Sequence, residues 1–325
     1  MNNKKKILNI IPKSDSPSSF IFSKRQVEDI RKIGFEVEIF YLDTTISFFG
    51  LFNEFKRLKK LVEIFKPDII HSHYGTITSY ISSKIKNVPL VITFQGSDLN
   101  FTKDISWPRE KLGKILSKIS AKKATKIICV SKSLYNNLKI GKEKTIVLPS
   151  GIDISIFKEI DKIECKKKLN LLTAENYIFF NANNPKVKRL DIALEVIQNV
   201  KDLNFKLLSL SGNVDPNDIP IYLNASSLLL LCSDSEGSPM VIKEAMACNL
   251  PIISVDVGDV KSRISDVENC FIVAQNVYEI EKKIRYICEN KILNSNGRNK
   301  LIEEGIDSVS VANVIAKIYL KILEV

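Results

Sequence analysis

The sequence predicts an α/β protein of two doubly wound domains, each a parallel sheet with helices on both faces. Short apolar runs bounded by turn residues alternate with amphipathic stretches along the whole chain. A length of 325 residues suits two domains better than one. The apolar rhythm also lapses once, in the charged stretch that follows LPSGIDISIFKEI at 148–160. Strands that read as unbroken apolar runs are buried on both faces, as in parallel sheets covered by helices.

In chain order the first half offers strands KILNIIP (6–12), EVEIFYL (36–42), DIIHSHY (68–74), PLVITFQ (89–95), KIICVS (126–131) and TIVLPS (145–150). Amphipathic helical stretches include 51–65 and 109–122. The second half repeats the rhythm with YIFFNAN (177–183), FKLLSLS (205–211), SLLLLCS (227–233), PIISVDV (251–257) and CFIVA (270–274). The expected division is 1–155, 156–306, and a closing helix within 307–325 that packs back toward the first domain. Val311, Val314, Ile315, Ile318 and Ile322 give that helix one apolar face.

Composition narrows the class. With 45% hydrophobic and 26% charged residues the chain reads as an ordinary globular protein. No apolar run reaches the ~18–20 residues that span a bilayer. The run Ile7–Ile11 is too short for a signal-peptide core and reads as the first strand. Six cysteines without C-x-x-C spacing, and only two histidines, point to a reducing cytoplasmic compartment without disulfides or a zinc site.

The net charge of +11 is lopsided. Residues 1–160 hold 28 Lys/Arg against 15 Asp/Glu, whereas 161–325 hold 20 against 22. A basic first half suggests a polyanionic surface partner, or simply lysine on solvated faces. Lys111, Lys114, Lys118 and Lys122 recur at helical spacing, with Leu112, Ile115, Leu116 and Ile119 expected on the other side. Such a helix suits an anionic leaflet, which would make the protein peripheral on the inner face of the cell membrane. The competing expectation is that the apolar side faces the core.

Ligands of open parallel sheets bind at the carboxyl ends of strands, and unusual residues cluster there. On the first domain they are Ser14–Phe20, His71–Gly75, Gln95–Asn100 and Ser131; on the second, Asn183–Arg189, Ser211–Gly212, Ser233–Met240 and Gly258–Asp259. In SDSEGSPMVIKEAMACNLPIISVDVGDV (233–260), Ser238 suits a helix N-cap and Pro239 the first helical position. Gly237 would allow close backbone approach, and first-turn N–H groups suit a phosphate. Glu236 and Glu244 accept hydrogen bonds and can hold hydroxyls. Anion-binding amides between two hydroxyl-holding carboxylates describe a sugar-nucleotide site; the plain alternative is a capped core helix.

The chain resembles glycosyltransferase family 4, whose fold is GT-B: two Rossmann-like domains facing across a cleft. The resemblance rests on E-G-S-P-M-V-I-K-E (236–244), the paired-glutamate E-x7-E pattern, with H-S-H-Y-G (71–75), T-F-Q-G-S-D (93–98), V-S-K-S-L (130–134), L-P-S-G-I-D (148–153) and N-P-K-V-K-R-L-D (184–191). It implies transfer of a hexose from a UDP- or GDP-sugar, with retention and no obligatory metal, to a glycan or lipid-linked acceptor in surface polysaccharide or glycoconjugate biosynthesis. Glu236 would be the catalytic-site carboxylate at the donor sugar, Glu244 would hold the ribose, and Lys188 would neutralise the diphosphate. Gly237, Ser238, Pro239 and Met240 would contact sugar and phosphate through their backbone, with Arg189 a further donor contact.

His73, Gln95, Gly96 and Asp98 fall on the acceptor side. His73 remains open between a cleft residue and a satisfied strand-end histidine, and Asp98 between an acceptor contact and a helix N-cap. Trp107 reads as a helix start or a sugar platform. The chain departs from the family at Asn183, where relatives carry arginine, at Gln95, where they often carry histidine, and at S-D-S-P-S-S-F (14–20), which replaces a glycine-rich loop. Gln95 and Asn183 motivate a second function, a non-catalytic partner subunit of another transferase, which the retained Glu236, Lys188 and Glu244 oppose. A nicotinamide oxidoreductase is disfavoured because no G-x-G-x-x-G follows a strand, and a nucleic-acid binder because no recognition motif is present.

Overall fold

A computed structural model describes residues 4–16, 19–45, 47–100, 106–212 and 214–324. The chain divides into two compact units: residues 19–151 with the N-terminal strand and Ser308–Val325, and residues 152–307. Among the described residues, the first unit holds β1 (Lys6–Pro12), β2 (Glu36–Leu42), β3 (Ile69–His73), β4 (Leu90–Phe94), β5 (Lys126–Cys129) and β6 (Thr145–Val147). The second holds β7 (Asn176–Asn181), β8 (Phe205–Leu210), β9 (Leu228–Leu231), β10 (Ile252–Val255) and β11 (Cys270–Val273). All pairings are parallel, in the orders β2-β1-β3-β4-β5-β6 and β11-β10-β9-β7-β8. Each anticipated strand is present, two with the expected ends and the others with ends shifted by up to three residues.

Strand alternation sets the core of the first unit. Ile7 and Ile11 pack on one sheet face with Val27, Ile30 and the helix Ser308–Leu323; Leu8 and Ile10 pack on the other with Leu58, Ile81 and Ala121. The boundary falls at Gly151. Ile152 and Phe157 are buried in the second unit's core, and the Ile152 amide donates to the Ile306 carbonyl at 3.0 Å.

The helix Trp107–Lys123 corrects the sequence expectation. Its inward side is made of Glu110, Ser117, Ser120 and Ala121. Leu112, Ile115 and Ile119 face outward, between Lys111, Lys118 and Lys122 rather than opposite them. Small polar residues allow close packing on the helix Thr76–Ser82, where Ser79 and Ser120 hydroxyls meet at 2.7 Å. Trp107 and Pro108 open this helix. Among the described residues no helix is long and apolar enough to cross a membrane.

A polar seam runs through the face of the first sheet under the helix Ser308–Leu323. His71 uses Nδ1 on the Tyr319 hydroxyl (2.5 Å) and Nε2 on the Thr93 hydroxyl (2.7 Å). His73, stacked on it at 4.2 Å, bonds Asn9 Oδ1 through Nε2 at 2.9 Å. Burial holds both imidazoles neutral, His71 well below its usual range and His73 down to about 3. Unfolding exposes them to protonation below their ordinary value of 6.5. The unfolded chain therefore binds more protons from 6.5 down to about 3, and stability falls as pH drops through that window. Unfolding free energies from urea titrations between pH 6 and 4 are expected to fall less steeply for His73→Gln, by about 1.4 kcal/mol per pH unit; parallel curves would contradict the buried neutral imidazole.

Candidate functional site

Strand order in the second unit reverses at β7: the chain steps outward to β8, then returns to place β9 on the other side. The loops leaving β7 and β9 therefore run in opposite senses and open a crevice at the strand ends. Three ties span it. The Asp234 amide donates to the Val187 carbonyl at 2.9 Å. Arg189 Nη1 donates to Asp234 Oδ1 at 3.4 Å, and Lys188 Nζ donates to Glu236 Oε1. The side chains of Lys188 and Glu236 are 15% and 13% exposed, so the pair is largely withdrawn from water yet reachable. The β7 loop reaches this position through left-handed backbone at Asn184 (φ 67°) and Arg189 (φ 58°), either side of the single turn Pro185–Lys188. Such conformations cost about 1–3 kcal/mol each and persist where the surroundings fix them.

Arg189 itself is held by carboxylates. It donates to Asp191 at 3.0 and 2.8 Å besides Asp234, and the Asp191 partner raises its pKa further. It braces the loop in this state, and a phosphate would have to compete with two carboxylates for it.

The helix Met240–Ala247 begins one residue later than Ser238 would set it. Pro239, buried, occupies the cap position, and no side chain caps the first turn. The Ser238 hydroxyl is directed elsewhere: it donates to Asp259 Oδ2 at 2.9 Å and accepts from Lys243 Nζ at 3.2 Å. Arg263 Nη2 donates to the same Asp259 oxygen at 3.2 Å. Lys243 is only 1% exposed, and burial pulls its ammonium down to about 8 against the opposing pull of Asp259. Buried charges are tolerated when paired and hydrogen-bonded, and here the pairing fixes the Gly237–Ser238 segment. Every helix residue from Val241 to Ala247 is buried except Glu244, and Met240 one turn earlier is half-buried. Met240 and Glu244 are thus the helix's accessible stripe.

Gly258 completes the packing. Its φ is +62°, and a Cβ there would lie 2.8 Å from the Gly237 carbonyl oxygen and 3.2 Å from that of Glu236. The absence of a side chain lets the β10 loop press on the Glu236–Gly237 backbone. Lys243 and Arg263 were missed by sequence reasoning. The only local signal was a lysine inside the apolar run M-V-I-K-E-A-M, and its partner Asp259 lies in another loop.

The first unit's candidates form a loop scaffold at its own reversal, between β1 and β3. Asp98 corrects both of its expected roles. It is fully buried, and its carboxylate accepts the amides of Gly75 (2.9 Å), Gln95 (3.0 Å) and Gly96 (2.8 Å). Burial raises its pKa, while those amides oppose the rise. A Cβ on Gly75 would sit 2.6 Å from Ser117 Oγ and 2.9 Å from Asp98 Cβ, so only glycine fits between β3 and the Asp98 turn. His73 is 1% exposed, and Gln95 Nε2 donates to Ser23 at 2.9 Å. Asn9 Nδ2, His73 Nδ1 and Gln95 Oε1 are buried without a hydrogen-bond partner. Pro17 and Ser18, in the stretch expected to line the acceptor side, lie outside the described residues.

Two family models match the chain: "Glycosyltransferase Family 4" over residues 22–156 and "Glycosyl transferases group 1" over residues 208–307. The chain is 28% identical over 278 residues to an uncharacterized glycosyltransferase of Methanocaldococcus jannaschii, covering 76% of this chain and 74% of that one. It is 26% identical over 332 residues to the UDP-Gal:alpha-D-GlcNAc-diphosphoundecaprenol alpha-1,3-galactosyltransferase of Escherichia coli, covering 87% and 84%. Among solved structures, sucrose-phosphate synthase from Thermosynechococcus elongatus matches with a TM-score of 0.81 at 16% identity, over 99% of this chain and 100% of that one. The fold is GT-B.

Gly258→Ala is expected to destabilise the second unit by about 1–3 kcal/mol, from a left-handed alanine and displacement of the Gly237 carbonyl. A urea titration checks this, and an unchanged midpoint would remove the proposed packing.

Proposed function

The chain belongs to glycosyltransferase family 4, and from that premise we propose that it moves a hexose from a UDP- or GDP-sugar to a hydroxyl of a lipid-linked glycan. The observation that carries the reading is the Lys188–Glu236 pair at the reversal point of the second sheet. A lysine and a carboxylate that neutralise each other in the free protein are the two groups a sugar diphosphate needs. The ammonium meets the charge that develops on the departing diphosphate, and the carboxylate, once released, accepts hydroxyls of the donor sugar. Met240 and the backbone from Gly237 lie beside the phosphates in this reading, and Glu244 on the same helical stripe takes the ribose hydroxyls.

Transfer breaks the bond from the anomeric carbon to the diphosphate oxygen and forms one to the acceptor oxygen. Among the described residues, His73 is a poor base, because burial lowers its pKa to about 3, and Gln95 cannot take a proton. In this reading, stabilisation of the departing diphosphate by Lys188 carries most of the catalysis. The residues named here need no metal for that role. The acceptor class is supported by the Escherichia coli relative, whose name specifies a diphosphoundecaprenol-linked acceptor. A donor made in the cytoplasm and an acceptor in the membrane would place the protein at the inner leaflet.

Glu236→Gln keeps size and hydrogen bonding but removes the charge. It is expected to fold normally and to lower transfer from the accepted UDP- or GDP-sugar by about 100-fold or more. The measurement is single-turnover transfer of radiolabelled hexose into a lipid-linked acceptor fraction; near-normal turnover would dismiss Glu236 from the reaction.

A further inference from the structure

Three neighbouring helices of the first unit carry the same surface device. The helices Phe48–Phe65, Thr76–Ser82 and Trp107–Lys123 send Leu58, Ile81 and Ala121 into one hydrophobic cluster, so all three cover the same face of the sheet. An aromatic ring on each is capped by the ammonium of the lysine four residues later, which for the short helix lies just past its end. Lys56 stands 4.6 Å from the Phe52 ring, Lys84 4.4 Å from Tyr80, and Lys111 4.7 Å from Trp107. Each helix follows a parallel strand, so the starts of the two long ones, with Phe49, Phe52 and Trp107, share the sheet edge where the strands end.

The outward residues of these helices are ones a water-facing surface avoids. Phe49 is 80% exposed, Trp107 66% and Leu112 54%, with Ile115 and Ile119 continuing the stripe. Around them the helix Trp107–Lys123 sets Arg109 and five lysines against Glu110, which is buried and bonded to Lys114. On the helix Phe48–Phe65, Glu54 is likewise buried and bonded to Arg57, which leaves Glu63 as the exposed acid of the two long helices. Among the described residues of these three helices, exposed apolar side chains and lysines are therefore interspersed, with Glu63 the exposed carboxylate.

We propose that this face docks on an anionic lipid bilayer. Its aromatic and branched side chains enter the headgroup region while the lysine stems extend their ammonium groups to the lipid phosphates. A second copy of the chain would set like charge against like charge, and a nucleic acid would leave Leu112, Ile115 and Ile119 in water. Docking extends the lipid-linked acceptor reading by naming the surface that brings the protein to it. Vesicle binding is read without donor or acceptor, so either can fail alone.

Trp107 is the single tryptophan of the chain and sits on this face, which makes it a native reporter. With the full chain at physiological salt, vesicles of phosphatidylglycerol and phosphatidylcholine are expected to shift its emission to the blue and to quench it when they carry spin-labelled lipid. Pure phosphatidylcholine vesicles leave it unchanged. Each lysine near the surface contributes about fivefold. Replacing Lys111, Lys118 and Lys122 together by glutamine therefore weakens partitioning about 100-fold, while UDP and GDP affinity measured by calorimetry stays the same. Unshifted emission at saturating anionic vesicles, or equal affinity for neutral ones, overturns the proposal whether or not the variant folds. So does a dimer of the wild type that Leu112→Ser with Ile119→Ser dissolves.

Discussion

A parallel sheet that is built outward from one strand and then extended on its other side must leave a gap where the direction of building turns. The second unit of this protein depends on how that gap is filled. β7 and β9 are neighbours in the sheet yet send their loops apart, and the space between is closed by Lys188 meeting Glu236 and by Arg189 meeting Asp234. Everything else nearby serves to hold those loops. Left-handed backbone at Asn184 and Arg189 turns one of them back, and the Ser238–Asp259–Arg263 network with Lys243 fixes the other. The pairs are internal counter-ions: Lys188 and Arg189 of the β7 loop each meet a carboxylate of the protein itself.

The first unit solves the same topological problem with neutral groups. Its reversal, between β1 and β3, is filled by Asn9 and His73, backed by His71 and Tyr319. The loops at the neighbouring strand ends are stitched together by one buried carboxylate, Asp98, rather than by ion pairs. Two sheets of nearly the same strand order thus carry different chemistry at equivalent places. One presents a paired cation and carboxylate, the other a buried carboxylate held by amides beside neutral side chains with hydrogen-bonding atoms to spare.

Much of this was legible in the sequence, and the failures share a cause. Buried parallel strands are apolar on both faces, so each strand of the described residues appears in the sequence as a short apolar run. Glu236 and Glu244 stand out in the sequence as carboxylates about a helix start, whereas Lys188 is marked only by the family resemblance. Ser238 was misread as a cap because its true partner, Asp259, is 21 positions away and the local pattern offered a closer use. The role of His71 depends on Tyr319, 248 positions on. The helix Trp107–Lys123 was misread because its inward side is small and polar, against the usual rule that apolar side chains face the core. Local periodicity reports which residues share a face, but it is silent on which face is covered.

The central claim is that Lys188 leaves Glu236 to bind a diphosphate. Calorimetric titration of UDP and GDP into the wild type, Lys188→Ala, Glu236→Ala and the double variant tests it most directly. The account predicts that Lys188→Ala weakens the bound nucleotide by about tenfold or more, as loss of a charge-assisted contact should. Glu236→Ala should leave it equal or tighter, because the ammonium is then free, and that gain should vanish in the double variant. Unchanged affinity in Lys188→Ala would contradict the claim and place the nucleotide elsewhere.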